Sequence, residues 1–136
     1  MEEHMTLVDS NVLIDVLQDD TEWADWSEAQ LVTARARGPL YINAIGYAEI
    51  APAVDSMIAL DHFLKRSRIS VKPISRRCAY LASNVFLKYR KQKGTKTGVL
   101  PDFFIGAHAQ TEGWPILTRD ARRYRTYFPL VKLISP

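Results

Sequence analysis

Four acidic residues, Asp9, Glu49, Asp102 and Asp120, stand where a carboxylate could do chemistry. Asp9 ends the short apolar run Met5–Val8, and Asp120 follows a second such run, Pro115–Thr118. Asp102 heads the apolar stretch Phe103–Ala107, with Ile105, Gly106 and Ala109 on its own helix face at i+3, i+4 and i+7. Glu49 lies one helical turn after Ile45 and one before Ala53. A carboxylate on an apolar helix face is costly to bury unless a cation or a donor meets it. If the four converge, their repulsion raises some of their pKa values unless a divalent ion is bound. A donor set made only of oxygen selects Mg²⁺ or Mn²⁺ over zinc. Such an ion can activate water and stabilise charge on a phosphodiester oxygen, and two can clamp both the attacking and the leaving oxygen.

Each acid also has a plainer explanation. Asp102 can favour a helix N-terminus through the dipole, and Asp120 can cap a short helix. Glu49 can pair with an arginine, and Asp9 can be a turn residue.

Elements that would position these residues alternate in type. The pattern predicts strands over Met5–Val8, Leu40–Ile42, Ile69–Ile74, Pro115–Thr118 and Val131–Ile134. It predicts helices over Asn11–Leu17, with Ser10 as a possible cap, and over Glu22–Arg37, stopped by Gly38-Pro39. Asn43 can cap a helix that carries Glu49 to about Pro52. Ser56–Arg66 is amphipathic. Ser75 opens a long helix to Lys93 with Cys78, Ala82, Val85, Phe86 and Tyr89 on its apolar face, followed by a basic loop, Gly94–Gly98. Pro101 opens a helix over Asp102–Glu112 that Gly113 stops, and a short basic helix follows Asp120. Short apolar strands alternating with helices indicate an α/β fold, a three-layer α/β/α sandwich around a mainly parallel sheet. Ligands of such sheets bind beyond the carboxyl ends of the strands, which places Asp9 and Asp120 on one rim.

With 136 residues and no Pro/Gly-rich linker, one domain spanning 1–136 is expected, with residues 1–4 frayed. No apolar run approaches the roughly 18 residues of a membrane span, and the acidic N-terminus does not read as a signal peptide. The single cysteine, Cys78, can form neither an internal disulfide nor a Cys-rich zinc site, so it reads as core, and a cytoplasmic location is expected. The net charge of +3 hides an asymmetry: residues 1–61 hold 12 Asp/Glu against 2 Lys/Arg, and residues 62–136 hold 3 against 16. A half so basic suggests a polyanionic partner, although two halves in contact would neutralise each other equally well. Two of the three acids in that basic half are Asp102 and Asp120.

Leu7-Val8-Asp9-Ser10-Asn11-Val12-Leu13-Ile14-Asp15 resembles the opening of PIN-domain proteins, especially VapC-type toxins of bacterial toxin–antitoxin pairs. Tyr47-Ala48-Glu49-Ile50, Leu100 to Ala109 around Asp102, and Leu117-Thr118-Arg119-Asp120 are similar to the later acidic motifs, in order and approximate spacing. The resemblance implies a PIN-like sandwich, Mg²⁺ or Mn²⁺ dependence, endonucleolytic cleavage of RNA, a homodimer and a cognate antitoxin. It implies that Asp9, Glu49, Asp102 and Asp120 are the metal-site acids. Ser10 and Thr118 sit where small hydroxyl residues support the metals directly or through water, and Asn11 is consistent with the first motif.

Other residues carry weaker signals. His108, on the helix of Asp102, is expected to be structural rather than a ligand, and so is His62. Arg119, Arg122 and Arg123 adjoin Asp120 and are candidates for RNA phosphates. The stretch Lys88, Arg90, Lys91, Lys93 and Lys96 is more distant from the acids. Trp23 and Trp26 are either core or a face for an antitoxin or second subunit. Among competing functions, a haloacid-dehalogenase-like phosphatase would want an acid two residues after Asp9, where Asn11 stands, and no receiver-type acidic pair is evident. A housekeeping PIN nuclease and a non-catalytic PIN-like binding module remain alternatives, though the intact quartet speaks against the latter.

Overall fold

The computed structural model describes residues 4–92, 94 and 99–136. Its strands are β1 (Thr6–Val8), β2 (Leu40–Asn43), β3 (Ile69–Lys72), β4 (Ile116–Leu117) and β5 (Leu133–Ile134). They form one sheet in the order β3-β2-β1-β4-β5, and every pairing is parallel. Alternate side chains therefore face opposite layers. Leu7 and Ile116 enter one core, and their neighbours Val8 and Leu117 enter the other. The first core is covered by α5 (Arg76–Lys91), α6 (Leu100–Glu112) and α7 (Arg122–Tyr127). The second is covered by α1 (Ser10–Leu17), α2 (Ala24–Arg37) and α4 (Met57–Arg66), with Ile50 from α3 (Ala44–Ile50). The expected three-layer α/β/α sandwich is the observed architecture.

Local signals explain most boundaries. Asn43 Oδ1 accepts from the amides of Ile45 and Gly46, Ser56 Oγ from Ala59 N at 3.0 Å, and Ser75 Oγ from Cys78 N at 3.1 Å. Gly113, at φ 74°, takes the left-handed conformation that ends α6. Most boundaries shift by one or two residues, β3 ending at Lys72 rather than Ile74 and β5 beginning at Leu133 rather than Val131, and two of the differences have a visible cause. Helix α2 begins at Ala24 rather than Glu22, because the Asp20 carboxylate captures the amides of Glu22 and Trp23 in a turn of its own. Ser10 does not cap α1. It is the first helical residue, and its hydroxyl is drawn to Glu49 instead. His4, expected to fray with residues 1–3, donates its backbone amide to Arg37 O at 3.2 Å. Residues 1–3 lie outside the described residues, as do Lys93 and residues 95–98, which held most of the expected basic loop and Lys96.

Helix α7 is seated by a missing side chain. The Phe128 ring, fully buried, lies over Gly106 of α6, where a Cβ would come within 2.3 Å of it. That close approach brings the residues after Asp120 back over the rim of the sheet.

Candidate active site

The strand order changes direction between β1 and β4, the place where an open parallel sheet leaves a crevice. Asp9 follows β1 directly, and its amide donates to Leu117 O of β4 at 2.9 Å. Thr118, Arg119 and Asp120 follow β4 across the same gap. Helix α3 contributes Glu49 and the first turn of α6 contributes Asp102. All four expected acids line one cleft of about 530 Å³, together with Ser10, Asn11, Arg122 and Arg123 and the aromatic rings of Tyr89 and Tyr127.

Small polar groups knit the acids together. Ser10 Oγ donates to Glu49 Oε1 at 2.9 Å and lies 3.4 Å from Asp9 Oδ1. Thr118 Oγ1 donates to Asp9 Oδ2 at 2.9 Å and accepts from the Asp120 amide at 3.1 Å. Asn11 Nδ2 reaches Asp9 Oδ2 at 3.5 Å and Thr118 Oγ1 at 3.3 Å, and Asn11 Oδ1 accepts from Arg119 N. Thus Ser10, Asn11 and Thr118 all touch the acids or the loop that carries one.

Charge at the site is imperfectly balanced. Burial pushes the Asp9 carboxyl up, hydrogen bonds from Tyr124 and Thr118 oppose it, and the charge of Asp102 adds to the rise. Burial also raises Glu49, assisted by repulsion from Asp9 and Asp102 against the Ser10 hydrogen bond. Asp102 is raised by burial and by Asp120, although Arg123 pulls the other way. Asp120 is exposed, and its hydrogen bond with Arg122 holds it below the usual carboxylate range. Three of the four carboxylates are therefore costly to ionise where they stand.

The donor chemistry fits a hard divalent cation: oxygen only, half-buried to buried at Asp9, Glu49 and Asp102, and short of positive charge at Asp9 and Glu49. The set is not closed as it stands. Among the described residues no three Asp, Glu, His or Cys groups are gathered tightly enough to enclose a metal ion. Arginines hold the outer two acids, Arg123 pairing with Asp102 and Arg122 with Asp120 at 3.3 Å.

Arg119, Arg122 and Arg123, the candidates for RNA phosphates, are each engaged by a carboxylate here. Arg119 is the most committed. Its Nε and Nη2 grip Asp15 at 2.8 and 3.0 Å, and its guanidinium lies 5.7 Å from the Trp23 ring. Trp23 stands edge-on to Trp26 at 5.9 Å, and Trp26 packs against the second core, so both rings are half-buried packing residues. His108 is buried and takes a hydrogen bond from Asn43 Nδ2 at 3.0 Å, away from the cleft, and burial keeps its pKa low. His62 is exposed.

Two contributors were missed from sequence. Asp15, an acid within the apolar helix α1, is buried and also accepts from Ser27 Oγ at 2.9 Å. Its apolar surroundings were a usable signal. Tyr124 donates its buried hydroxyl to Asp9 Oδ2 at 2.8 Å. Its position in a short basic helix gave no sign of where the hydroxyl goes.

Fold and site together define a doubly wound α/β domain with an acidic cleft at its switch point. A family model described as PIN domain matches residues 6–129, and the chain belongs to the PIN domain family. Ribonuclease VapC10 of Mycobacterium tuberculosis strain H37Rv is 28% identical over 132 residues, spanning 97% of this chain and 92% of its own length. Among solved structures, VapBC2 from Rickettsia felis bound to a promoter DNA fragment superposes with a TM-score of 0.73 at 16% identity, covering 97% of this chain and 98% of that one. A toxin–antitoxin complex from Klebsiella pneumoniae superposes with a TM-score of 0.66 at 23% identity, covering 93% and 94%. At those identities the structural likeness is one of fold.

Proposed function

We propose that this chain is an Mg²⁺- or Mn²⁺-dependent endoribonuclease, one PIN-type domain acting in the cytoplasm as the toxin of a toxin–antitoxin pair. The observation that carries the reading is the meeting of Asp9, Glu49, Asp102 and Asp120, from four separate segments of chain, along one cleft. The similarity to a ribonuclease over nearly the whole chain supports the reaction, and the toxin–antitoxin complexes of like fold support a protein inhibitor as partner.

Asp9, Glu49, Asp102 and Asp120 would hold the metal. When bound, the ion supplies Lewis acidity for the attack of water on a phosphodiester and for the charge that develops there. Asp9 is fixed by Thr118 and Asn11, and Ser10 spans Asp9 and Glu49, so the donors are oriented before substrate arrives. Arg122 and Arg123, on the wall of the cleft, serve the phosphates of an RNA strand. Of the two, Arg122 is the more available, its side chain being 88% exposed. Arg119 contributes chiefly through the field of its charge, because Asp15 holds its guanidinium. A homodimer with one cognate antitoxin per cleft completes the proposal.

The test is cleavage of a labelled single-stranded or looped RNA with Mg²⁺, with Mn²⁺ and in excess EDTA. Cleavage should require the metal, and Asp9→Asn should lose it while keeping its circular-dichroism spectrum. Full activity in EDTA, or unchanged cleavage by Asp9→Asn, would overturn the mechanism.

A further inference from the structure

Asp9 is 4% exposed, and its two oxygens have different surroundings. Oδ2 receives the hydroxyls of Tyr124 at 2.8 Å and Thr118 at 2.9 Å, with the Asn11 amide at 3.5 Å. These donors come from three parts of the chain: α7, the loop after β4, and α1. Asp9 lines the cleft, whereas Tyr124 and Thr118 do not. Two of the three donors to Oδ2 thus reach it from inside the protein, while the third, Asn11, lines the cleft. Among the described residues Oδ1 meets the Ser10 hydroxyl at 3.4 Å, a single proton better placed on Glu49 at 2.9 Å, and the Ser10 backbone amide is a further donor to the carboxylate.

We propose that Tyr124 is a positioning residue of the cleft, whose hydroxyl anchors Asp9 by Oδ2 so that Oδ1 is presented to a divalent cation. The inference rests on the metal-dependent reading above. The Tyr124 ring is 1% exposed and belongs to the same core as Phe128, which is seated at Gly106, so packing fixes the hydroxyl independently of Asp9. A carboxylate free to rotate would divide its time between a coordinating pose and others. One clamped at a single oxygen has no such freedom to lose when the ion binds. No charge is introduced by the anchor: a phenol and a threonine hydroxyl satisfy the oxygen and leave the negative charge for the cation. An arginine in the same place would neutralise it.

The test is Mn²⁺ affinity, measured by calorimetry on the full chain without RNA, for the native protein and Tyr124→Phe. Phenylalanine keeps the ring and removes only the anchor. Affinity should fall about 10-fold, in the range typical for loss of a group that orients a metal ligand. The circular-dichroism spectrum should be retained, and kcat at saturating Mn²⁺ should fall less than the activity at limiting Mn²⁺. A merely structural tyrosine would lower the melting temperature in EDTA and leave the Mn²⁺ affinity of the folded protein within twofold of native, and that result would overturn the proposal. Should Tyr124→Phe not fold, Thr118→Val removes a second donor to the same oxygen. An unchanged Mn²⁺ affinity in that variant would equally overturn the anchoring of Oδ2. Absence of Mn²⁺ binding by the native chain would overturn the metal-dependent function itself, a result distinct from native binding that Tyr124→Phe leaves intact.

Discussion

Helix α1 carries a buried carboxylate just before its first residue and another six residues on, and the protein treats them in opposite ways. Asp15, 2% exposed, is met by a bidentate guanidinium from Arg119 and by the Ser27 hydroxyl. Asp9, 4% exposed, is met by the hydroxyls of Tyr124, Thr118 and, at 3.4 Å, Ser10, and by the Asn11 amide, none of them charged. Asp15 has its counter-ion built in and serves as a clamp between α1, α2 and the loop after β4. Asp9 is hydrogen-bonded without being neutralised, and its pKa is raised, first by burial. A fold that needs an acid for cohesion supplies an arginine. The donors at Asp9 orient the carboxylate and leave its charge free, as the proposed cation site requires.

The largest effect should come from breaking the clamp on its arginine side. Arg119→Ala leaves Asp15 buried without a counter-charge, and should destabilise the fold by about 3 kcal/mol in urea titration. Asp15→Asn should cost clearly less, because the stranded guanidinium is 33% exposed and can turn to water. Equal losses would mean that the pair, rather than the buried acid, sets the energetics. Replacing both partners by apolar residues of similar volume should recover part of the loss.

The Asp9 side should answer with the opposite sign. Asp9, Glu49 and Asp102 all have folded-state pKa values above their ordinary ones, 3.8 for Asp and 4.5 for Glu. The folded chain therefore binds these protons more tightly than the unfolded chain. Their contribution to stability is greatest at low pH and is lost as pH rises from the ordinary values through the raised folded ones. In EDTA at neutral pH, Asp9→Asn should be more stable than the native chain, with a flatter dependence of melting temperature on pH. A destabilised Asp9→Asn would remove the contrast with Asp15. Added Mn²⁺ should raise the native melting temperature more at neutral than at mildly acidic pH, since ligands must be deprotonated to bind.

The smallest effect on the fold belongs to Arg122. Its pairing with Asp120 is open to solvent, so Arg122→Ala should leave the melting temperature unchanged. It should weaken RNA binding and reduce the slope of log affinity against log salt by about one, as loss of one phosphate contact requires. Loss of stability instead would make Arg122 a second Arg119.

How much of this was legible in advance differs from residue to residue. Asp9 and Asp120 could be placed on one rim because each ends an apolar run, and strand polarity in a parallel sheet sends both to the same edge. Asn43 and Ser75 could be read as caps because a cap is a local hydrogen bond. Ser10 had the same local credentials, and its hydroxyl went to Glu49, 39 positions away. Arg119, Arg122 and Arg123 read alike as a basic run. One is clamped on a buried acid, one faces solvent and one pairs with Asp102.

The sequence by itself determined the alternation of strands and helices, the class of sheet, the four acids and their family. Those follow from periodicity and from motifs only a few residues long. The tertiary structure alone decided which donors meet which carboxylate. Tyr124 and Asp9 are 115 positions apart, and Arg119 and Asp15 are 104. No local pattern encodes such a pairing. It arises where α7 packs over Gly106 and the loop after β4 returns to α1, and there an uncharged hydroxyl falls on one buried acid and a guanidinium on the other.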